Sequence, residues 1–558
     1  INANRFVAST SSMSNEDMQA FANMKTFEQG ASFSPVFKPN PKGGNVINMG
    51  NINANDVLLI GNKVLIQGYL NTKDKTFNQI KAIDEGKKAN IHLVGNEIYA
   101  DIATFKDIGK LYITAKDKGS LYLNATGYYY NPSSFKDFDF IVKNYNGINH
   151  NNTNFSNMKY VGIGSDVDWW HFAKGWNEYN NDFITIANEY RLINDIDFQA
   201  NCKNGVCTGQ NYANYWIDLN GDGIKQDNEF TSMIVGKDYN GFTKNFDGQG
   251  YTLKNINTDT TKLDNKLYDV GIFGYAINAT FKNINVDYMG GKINTNNAQY
   301  IGGFAGRIFG TSFTNISLSN IENISVNNIL FRRQSFVGGF IGHISFGGTF
   351  LNISLNNIGN IENNNDNTGH NYAGGFAGFS DRSASAVFSN ISLNNIGNIS
   401  NSANGLAGGF IGIATDSEFS NISLNNIGNI SGHRSAGGFA GTLLGGRYTN
   451  IYLNNIGNII NYNTDTYGGT GGFTGTILLY AGDSKFENIF IFFNPNTKMI
   501  YKNGSPGKFI GKIESTGTDN YNFSFNNIHI YHHKNDLANA INDNQLWNKI
   551  NIHTYNDS

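Results

Sequence analysis

Charged side chains are scarce. They make up 15% of 558 residues, with a net charge of -3. That balance gives no electrostatic case for a nucleic-acid partner or an anionic membrane. No run of roughly 20 apolar residues occurs, so no helical membrane span is expected, and no signal peptide is visible. Chain Ile1 follows no initiator Met, which reads as a processed or truncated piece. Proline occurs 6 times and cysteine twice. The Cys202–Cys207 pair could close a small disulfide loop in an oxidising compartment, with Gly205 easing the turn, or remain two thiols. No second Cys/His pair lies nearby to make a zinc site. Catalytic motifs are missing too: no His-Glu-x-x-His, no Gly-x-Ser-x-Gly and no phosphate-binding loop appears.

What is present is a repeat. The phrase GGFAG followed by F-x-NISLNNIGNI recurs with its Phe at 304, 340, 376, 410, 439 and 473, and degenerate copies sit at Gly271-Ile272-Phe273 and Gly507-Lys508-Phe509. The steps are 36, 36, 34, 29 and 34 residues, a period that marks stacked supersecondary units. Gly is abundant at 64 and aromatics reach 13%, which argues for an ordered β-rich chain rather than a disordered one. In Phe388-Ser389-Asn390-Ile391-Ser392-Leu393-Asn394-Asn395-Ile396, Ile391 and Leu393 alternate as a short strand with one buried face. Phe388 and Ile396 break that alternation, so a bend on each flank must turn both inward. Stacked copies then place Phe on Phe and Asn on Asn, with Asn amides forming ladders. Each Gly-Gly marks a close backbone approach. The Asn-Ile-Ser triplets at Asn315, Asn352, Asn390 and Asn421 read either as ladder residues or as glycosylation sequons. Loops such as 362–370 vary between copies, and insertions of that kind often line a binding face.

Four segments follow. Residues 1–160 read as strand-rich coils, 161–245 as an inserted segment, 246–515 as the repeat array, and 516–558 as a terminal coil and cap. The cap is expected as a helix from Leu537, Ala540, Ile541, Leu546, Trp547 and Ile550, although the chain could equally be cut from a longer stalk here. The inserted segment concentrates Trp169, Trp170 and Trp176, either a packed junction or a ligand patch. Phe183, Ile186, Ala187 and Tyr190 have helical spacing.

Two resemblances add to this. Asn4-Arg5-Phe6-Val7-Ala8-Ser9-Thr10-Ser11-Ser12-Met13-Ser14-Asn15-Glu16-Asp17, followed by Thr26-Phe27-Glu28, resembles the later part of the secretion domain of two-partner-secretion exoproteins of the filamentous haemagglutinin family. The resemblance covers residues 1–70, and the family's upstream Asn-Pro-Asn-Gly box is missing. It implies a right-handed parallel β-helix exported by an outer-membrane transporter. The passage Tyr190-Arg191-Leu192-Ile193-Asn194-Asp195-Ile196-Asp197-Phe198, with Phe246-Asp247-Gly248-Gln249-Gly250-Tyr251-Thr252-Leu253, resembles the entry into GLUG-type repeats of bacterial surface proteins. The expectation is an all-β, right-handed parallel β-helix acting as a secreted, non-enzymatic adhesin that binds a host-cell receptor or glycan. A stalk of a contact-dependent inhibition effector and a polysaccharide-degrading β-helix are the alternatives.

The sharpest site signal is Asp218-Leu219-Asn220-Gly221-Asp222-Gly223-Ile224-Lys225-Gln226-Asp227-Asn228-Glu229, which matches the D-x-[DN]-x-[DN]-G-x5-E calcium loop. Asp218, Asn220, Asp222, the Ile224 carbonyl, Gln226 (directly or through water) and Glu229 would supply the hard oxygens that Ca²⁺ takes. No flanking helix pair is evident, since 212–217 reads as extended; an acidic surface turn is the other reading. His529, His532 and His533 cluster in sequence as a weaker metal candidate or as exposed strand histidines.

Overall fold

The computed structural model describes residues 1–10, 14–16, 19, 23, 43–66, 70–71, 76–101, 104–126, 139–144, 149–151, 159–179, 181–185, 187–203, 206–264, 266–327, 334–365, 370–381, 385–402, 404–462, 468–479, 482–514, 522–541 and 549–556. Ser11–Met13, Asp17 and Thr26–Glu28 of the secretion-domain phrase lie outside that set, as do Ile186, Gly205, Leu546 and Trp547. The chain is all-β and mainly parallel, a β-helix. It divides into two compact units, Ile1–Asn194 with Trp216–Thr231, and Asp195–Tyr215 with Ser232–Ser558.

In the first unit, β1 (Asn2–Ser9), β2 (Ile52–Ile66), β3 (Ala89–Ala100), β4 (Ile108–Asn124), β5 (Lys159–Ile163) and β6 (Glu189–Leu192) pair in parallel. Like meets like in this register. Val57 pairs with Ile91 and Leu59 with Leu93, and Ile91 and Leu93 pair in turn with Leu111 and Ile113. All six are buried, which is what holds the register, because a one-residue slip would turn the whole apolar set outward. Within the segment read as strand-rich coils, residues 110–115 and 120–124 lie in the single strand β4.

In the second unit the repeat becomes a column of coils. Phe304, Phe340, Phe376, Phe410, Phe439, Phe473 and Phe509 form one inner row, with successive ring centroids 4.8–5.1 Å apart. Phe313, Phe350, Phe388, Phe419, Tyr448, Phe486 and Phe525 form a second, at 4.5–5.2 Å. Between the rows the rings meet edge to face, as for Phe410 and Phe419 at 5.8 Å and 88°. Both geometries suit the ring quadrupole, offset along a row and perpendicular across it.

The bends expected on each side of the Ile391–Leu393 strand are left-handed asparagines. Asn390 has φ 55 and Asn395 φ 56, and the equivalents Asn352, Asn357, Asn421, Asn426, Asn450 and Asn455 match them. Asn is among the few non-glycine residues that visit this region readily. Its amide also carries the ladder. Asn352 donates to Asn315, Asn390 to Asn352, Asn421 to Asn390 and Asn450 to Asn421, at 2.9–3.1 Å. The Nδ2 that a sugar would modify in each Asn-Ile-Ser triplet is therefore the donor of a ladder bond. The Gly-Gly pair marks a close approach: a Cβ on Gly375 would fall 2.1 Å from the Gly409 carbonyl oxygen.

Two expectations fail at the level of local structure. Leu537–Ala540 forms turns, with Ala540 N bonded to Leu537 O, and Ile550 opens a strand that pairs in parallel with Phe523–His533. Those described residues thus form no helix. Leu537, Ala540 and Ile550 are buried, but from a turn and a strand, and Ile541, which the helical reading also placed inward, is exposed. Helical spacing over 183–190 also fails. A short helix spans Asn181–Thr185, while Tyr190 lies in β6.

Replacing Asn390 separates the roles of its side chain. Asn390→Gly keeps the left-handed turn and loses two ladder bonds, each about 0.5–1.5 kcal/mol. Asn390→Ala loses the same bonds and adds left-handed strain of about 1 kcal/mol. Thermal unfolding is expected to rank wild type above Gly above Ala; an alanine variant as stable as the glycine variant would show that the turn carries no strain.

Candidate functional site

The tryptophan segment forms α1 (Asp166–Asn177). Its N-cap is Ser165, whose Oγ accepts from Asp168 N at 3.1 Å. Asp168 is buried and turns back to accept from Thr126 Oγ1 at 2.8 Å and from Gly164 N at 3.0 Å; burial pushes its carboxyl above the ordinary range. Trp169 and Trp170 are fully buried and Trp176 nearly so. Trp169 meets Phe172 edge-on at 5.5 Å, and Phe172 lies 4.7 Å from Tyr190. Burial holds His171 neutral, down at about 3. Of the two readings of the aromatic cluster, the packed one describes these side chains.

The calcium-type loop belongs to the same unit. Asp218 accepts at Oδ1 from Gly221 N (2.7 Å) and Asp222 N (3.2 Å), and at Oδ2 from Gly223 N (2.8 Å). Asn220 Oδ1 accepts from Asp222 N at 2.9 Å, and Asp222 accepts from Ile224 N at 2.7 Å and Gln226 Nε2 at 2.9 Å. Gly221 and Gly223 both have φ 72, the left-handed backbone that lets the loop wind around its first carboxylate. Glu229 is buried, accepting from Leu219 N (3.1 Å), Gln226 N (3.2 Å) and Trp216 Nε1 (2.8 Å). Its carbonyl accepts from Trp170 Nε1 at 3.2 Å. The loop is thereby tied to the tryptophan helix through its last candidate ligand.

Whether this donor set suits Ca²⁺ can be asked of the loop itself. Its oxygens are hard, and among the described residues none of the carboxylates of Asp218, Asp222 and Glu229 forms an ion pair with a Lys or Arg. Lys225, the cation within the loop, lies 5.3 Å over the Trp216 ring instead. Negative charge is concentrated without a protein counter-charge, which suits a divalent cation. Against this, no group of three or more His, Cys, Asp or Glu among the described residues is arranged to hold a metal ion. Asp218, Asp222 and Glu229 therefore do not form a closed acidic cage, and any site must draw on Asn220, Gln226 and the exposed Ile224 carbonyl as well.

The other candidates separate. Cys202 and Cys207 are backbone partners in register across the antiparallel strands Gln199–Lys203 and Val206–Gly209. The three histidines do not converge. His529 points outward, with Nδ1 2.9 Å from His553 Nε2, whereas His532 is buried against Lys508 Nζ at 3.0 Å. His533 packs edge-on to Tyr555.

A cluster in the second unit escaped the sequence reading. Asp269 is buried, and its Oδ1 lies 2.7 Å from Arg307 Nε. Arg307 also donates to the Asp238 carbonyl at 2.9 Å and lies 3.9 Å over the Tyr275 ring. Burial pushes the Asp269 carboxyl up to about 7, although Arg307 pulls it down. On the next coil His343 stacks on Phe336 at 4.8 Å and Tyr300 at 5.4 Å. A signal did exist: Arg307, His343 and Phe379 each stand three residues after a repeat Phe, and Tyr300, Phe336 and Tyr372 four before one. Aligning the copies by column would have gathered all six.

His343 makes a pH prediction. Burial lowers it to about 4, helped by Arg307 and opposed by Asp381, below the 6.5 of the unfolded chain. A depressed histidine stabilises the fold above pH 6.5, and that contribution is lost as pH falls toward 4. In paired melts of wild type and His343→Phe, the difference should shift toward the variant between pH 7 and 4.5. A difference that stays constant over that range would place His343 outside the acid response.

No family model matches the chain, and no curated protein matches it. Among solved structures, a "putative immunoglobulin A1 protease" from Bacteroides ovatus aligns at 15% identity and TM-score 0.30, over 66% of this chain and 84% of that one. A likeness at that level carries no argument about this chain's fold or chemistry.

Proposed function

We propose that the chain is part of a secreted, surface-associated adhesin-like exoprotein. In this reading the N-terminal coils belong to a region recognised by an outer-membrane two-partner transporter, and the coils are a scaffold for binding rather than for catalysis. The observation that supports it is a contrast within the second unit. Strand rows keep their register from coil to coil, while the connections between them vary. One runs Asn327 to Ser335, Asn364 to Asn371, Asn401 to Gly405, Gly432 to Ser435, and Asn461 to Thr470; another runs Ser380 to Ala386, Thr415 to Glu418, Leu444 to Gly446, and Leu478 to Ser484. A scaffold that keeps its stacking while its connections vary is built to present different surfaces. The stalk and glycan-degrading readings remain alternatives to this proposal. Sugar release from a polysaccharide panel would favour the latter, and silence across it would remove it.

The test is adhesion. Labelled protein should coat host epithelial cells or neighbouring bacteria saturably. Shortening the Asn327–Ser335 and Asn461–Thr470 connections to the length of Gly432–Ser435 should reduce that binding several-fold without lowering the melting temperature. Failure of the parent chain to bind any cell surface would overturn the reading.

Within this function Ca²⁺ has a structural role. Asp218, Asn220, Asp222, the Ile224 carbonyl, Gln226 and Glu229 would hold it, ordering the loop beside the tryptophan helix. Replacing hydrogen bonds to Glu229 by metal contact should alter Trp216 fluorescence. Melting should rise in Ca²⁺ relative to chelator, and Asp222→Ala should erase the difference; equal melting of the parent chain with and without Ca²⁺ would dismiss the site.

A further inference from the structure

A shallow groove of about 740 Å³ runs across successive coils of the second unit. It is lined by two columns, Asn357, Asn395, Asn426 and Asn455 beside Gly359, Gly397, Gly428 and Gly457, and reaches from Ile321 to Asn494. The glycines are required, since a Cβ on Gly397 would fall 2.7 Å from the Gly359 carbonyl carbon, and one on Gly428 equally close to Gly397. The glycines therefore let the backbones of successive coils approach closely along the groove.

Its chemistry is uniform. No charged side chain lines it. Asn357 donates to Asn320 at 3.1 Å, Asn395 to Asn357 at 3.0 Å and Asn426 to Asn395 at 2.9 Å. A carboxamide has two N–H donors and an oxygen with two lone pairs, so Asn357, Asn395 and Asn426 each keep one donor and one acceptor beyond the ladder; the Asn455 oxygen is buried. The backbone beside them is already paired along the axis: Gly397 N to Ile358 O at 2.7 Å, Gly428 N to Ile396 O at 2.8 Å, and Gly457 N to Ile427 O at 2.9 Å. A peptide strand would find no main-chain partners here. A ligand that uses both a donor and an acceptor at each step, bears no charge and repeats at the coil spacing of about 4.8 Å fits instead. Hydroxyl groups are both donor and acceptor, and an extended β-linked sugar chain advances by nearly that distance per residue.

We propose that this groove binds a neutral, linear, β-linked glycan lying along the coil axis, about one sugar to a coil. The inference rests on the adhesin reading insofar as it names one ligand class for it. The contacts are hydrogen bonds to the asparagines and apolar contact with the lining beside Ile358, Ile396 and Ile427, with no aromatic platform, so a single sugar binds weakly and affinity grows with the number of coils spanned.

Affinity electrophoresis of the full chain tests it. Gels containing hydroxyethylcellulose should retard the protein; gels with anionic alginate or α-linked dextran should not. Cello-oligosaccharides should compete, and the hexamer should do so about tenfold or more better than the dimer. The N395G/N426G double variant should lose about tenfold in affinity. N390G/N421G removes equivalent rungs at the same backbone angles from the column outside the groove, and should bind as the parent does. Matched melting curves for the two doubles confirm that both fold. No retardation of the parent, equal retardation by alginate, or equal loss in both doubles would overturn the proposal. Cell adhesion that survives N395G/N426G while glycan binding is lost would leave the adhesin reading standing without the groove. Glycan binding without cell adhesion would do the reverse.

Discussion

The second unit depends on one constraint: each coil must repeat its neighbour's backbone closely enough for identical side chains to stack. Parallel pairing at the coil spacing allows this only if every corner bends alike. Asparagine meets both demands at once. It accepts the left-handed backbone at Asn390 and Asn395, and its carboxamide binds its own kind one coil away. Glycine would also make the corner, but with no ladder and with more freedom to lose on folding. Serine or alanine would strain it. The phenylalanine rows follow from the corners. Because Asn390 turns the chain, Phe388 and Ile391 both point inward three residues apart, and the rings can face one another at 4.5–5 Å.

Much of this was legible because repetition turns a local pattern into a spatial one. Once Phe388 and Phe419 occupy equivalent positions, parallel stacking makes them neighbours, and sequence alone places them in contact. The same logic, applied only to the striking phrases, missed Arg307 and His343, which occupy a quieter column three residues beyond each Phe. Where repetition stops, inference weakened. Leu537, Ala540 and Ile550 are buried in a turn and a strand, while Ile541 of the same expected helix is exposed; apolar spacing without a repeat fixed neither the element nor the burial of every residue, since backbone pairing decides both. The calcium-type loop shows the opposite limit. Its motif fixes the order of donors and the left-handed Gly223, but not the positions of its carboxylates, which spend their hydrogen bonds on backbone amides, the Gln226 side chain and an indole.

Scaffold and surface are separable in a molecule of this kind, since an outward column can change without disturbing an inward one. Ser423, Tyr452, Phe490 and His529 pair in register on one outward column, so a serine position becomes aromatic while Leu424, Leu453, Ile491 and Ile530 beside it stay buried. The new rings lie parallel, Tyr452 on Phe490 at 5.3 Å and Phe490 on His529 at 5.1 Å. Their facing sides are spent on each other, while on its other side Tyr452 pairs with Ser423, which carries no ring. An exposed aromatic column usually suggests sugar stacking, which needs a free ring face. Here stacking along the axis covers the faces between neighbouring rings, and the unspent hydrogen-bonding capacity lies instead with the asparagine rungs. In-register pairing therefore limits what each outward column can offer a partner, and it favours amide-lined channels over aromatic platforms.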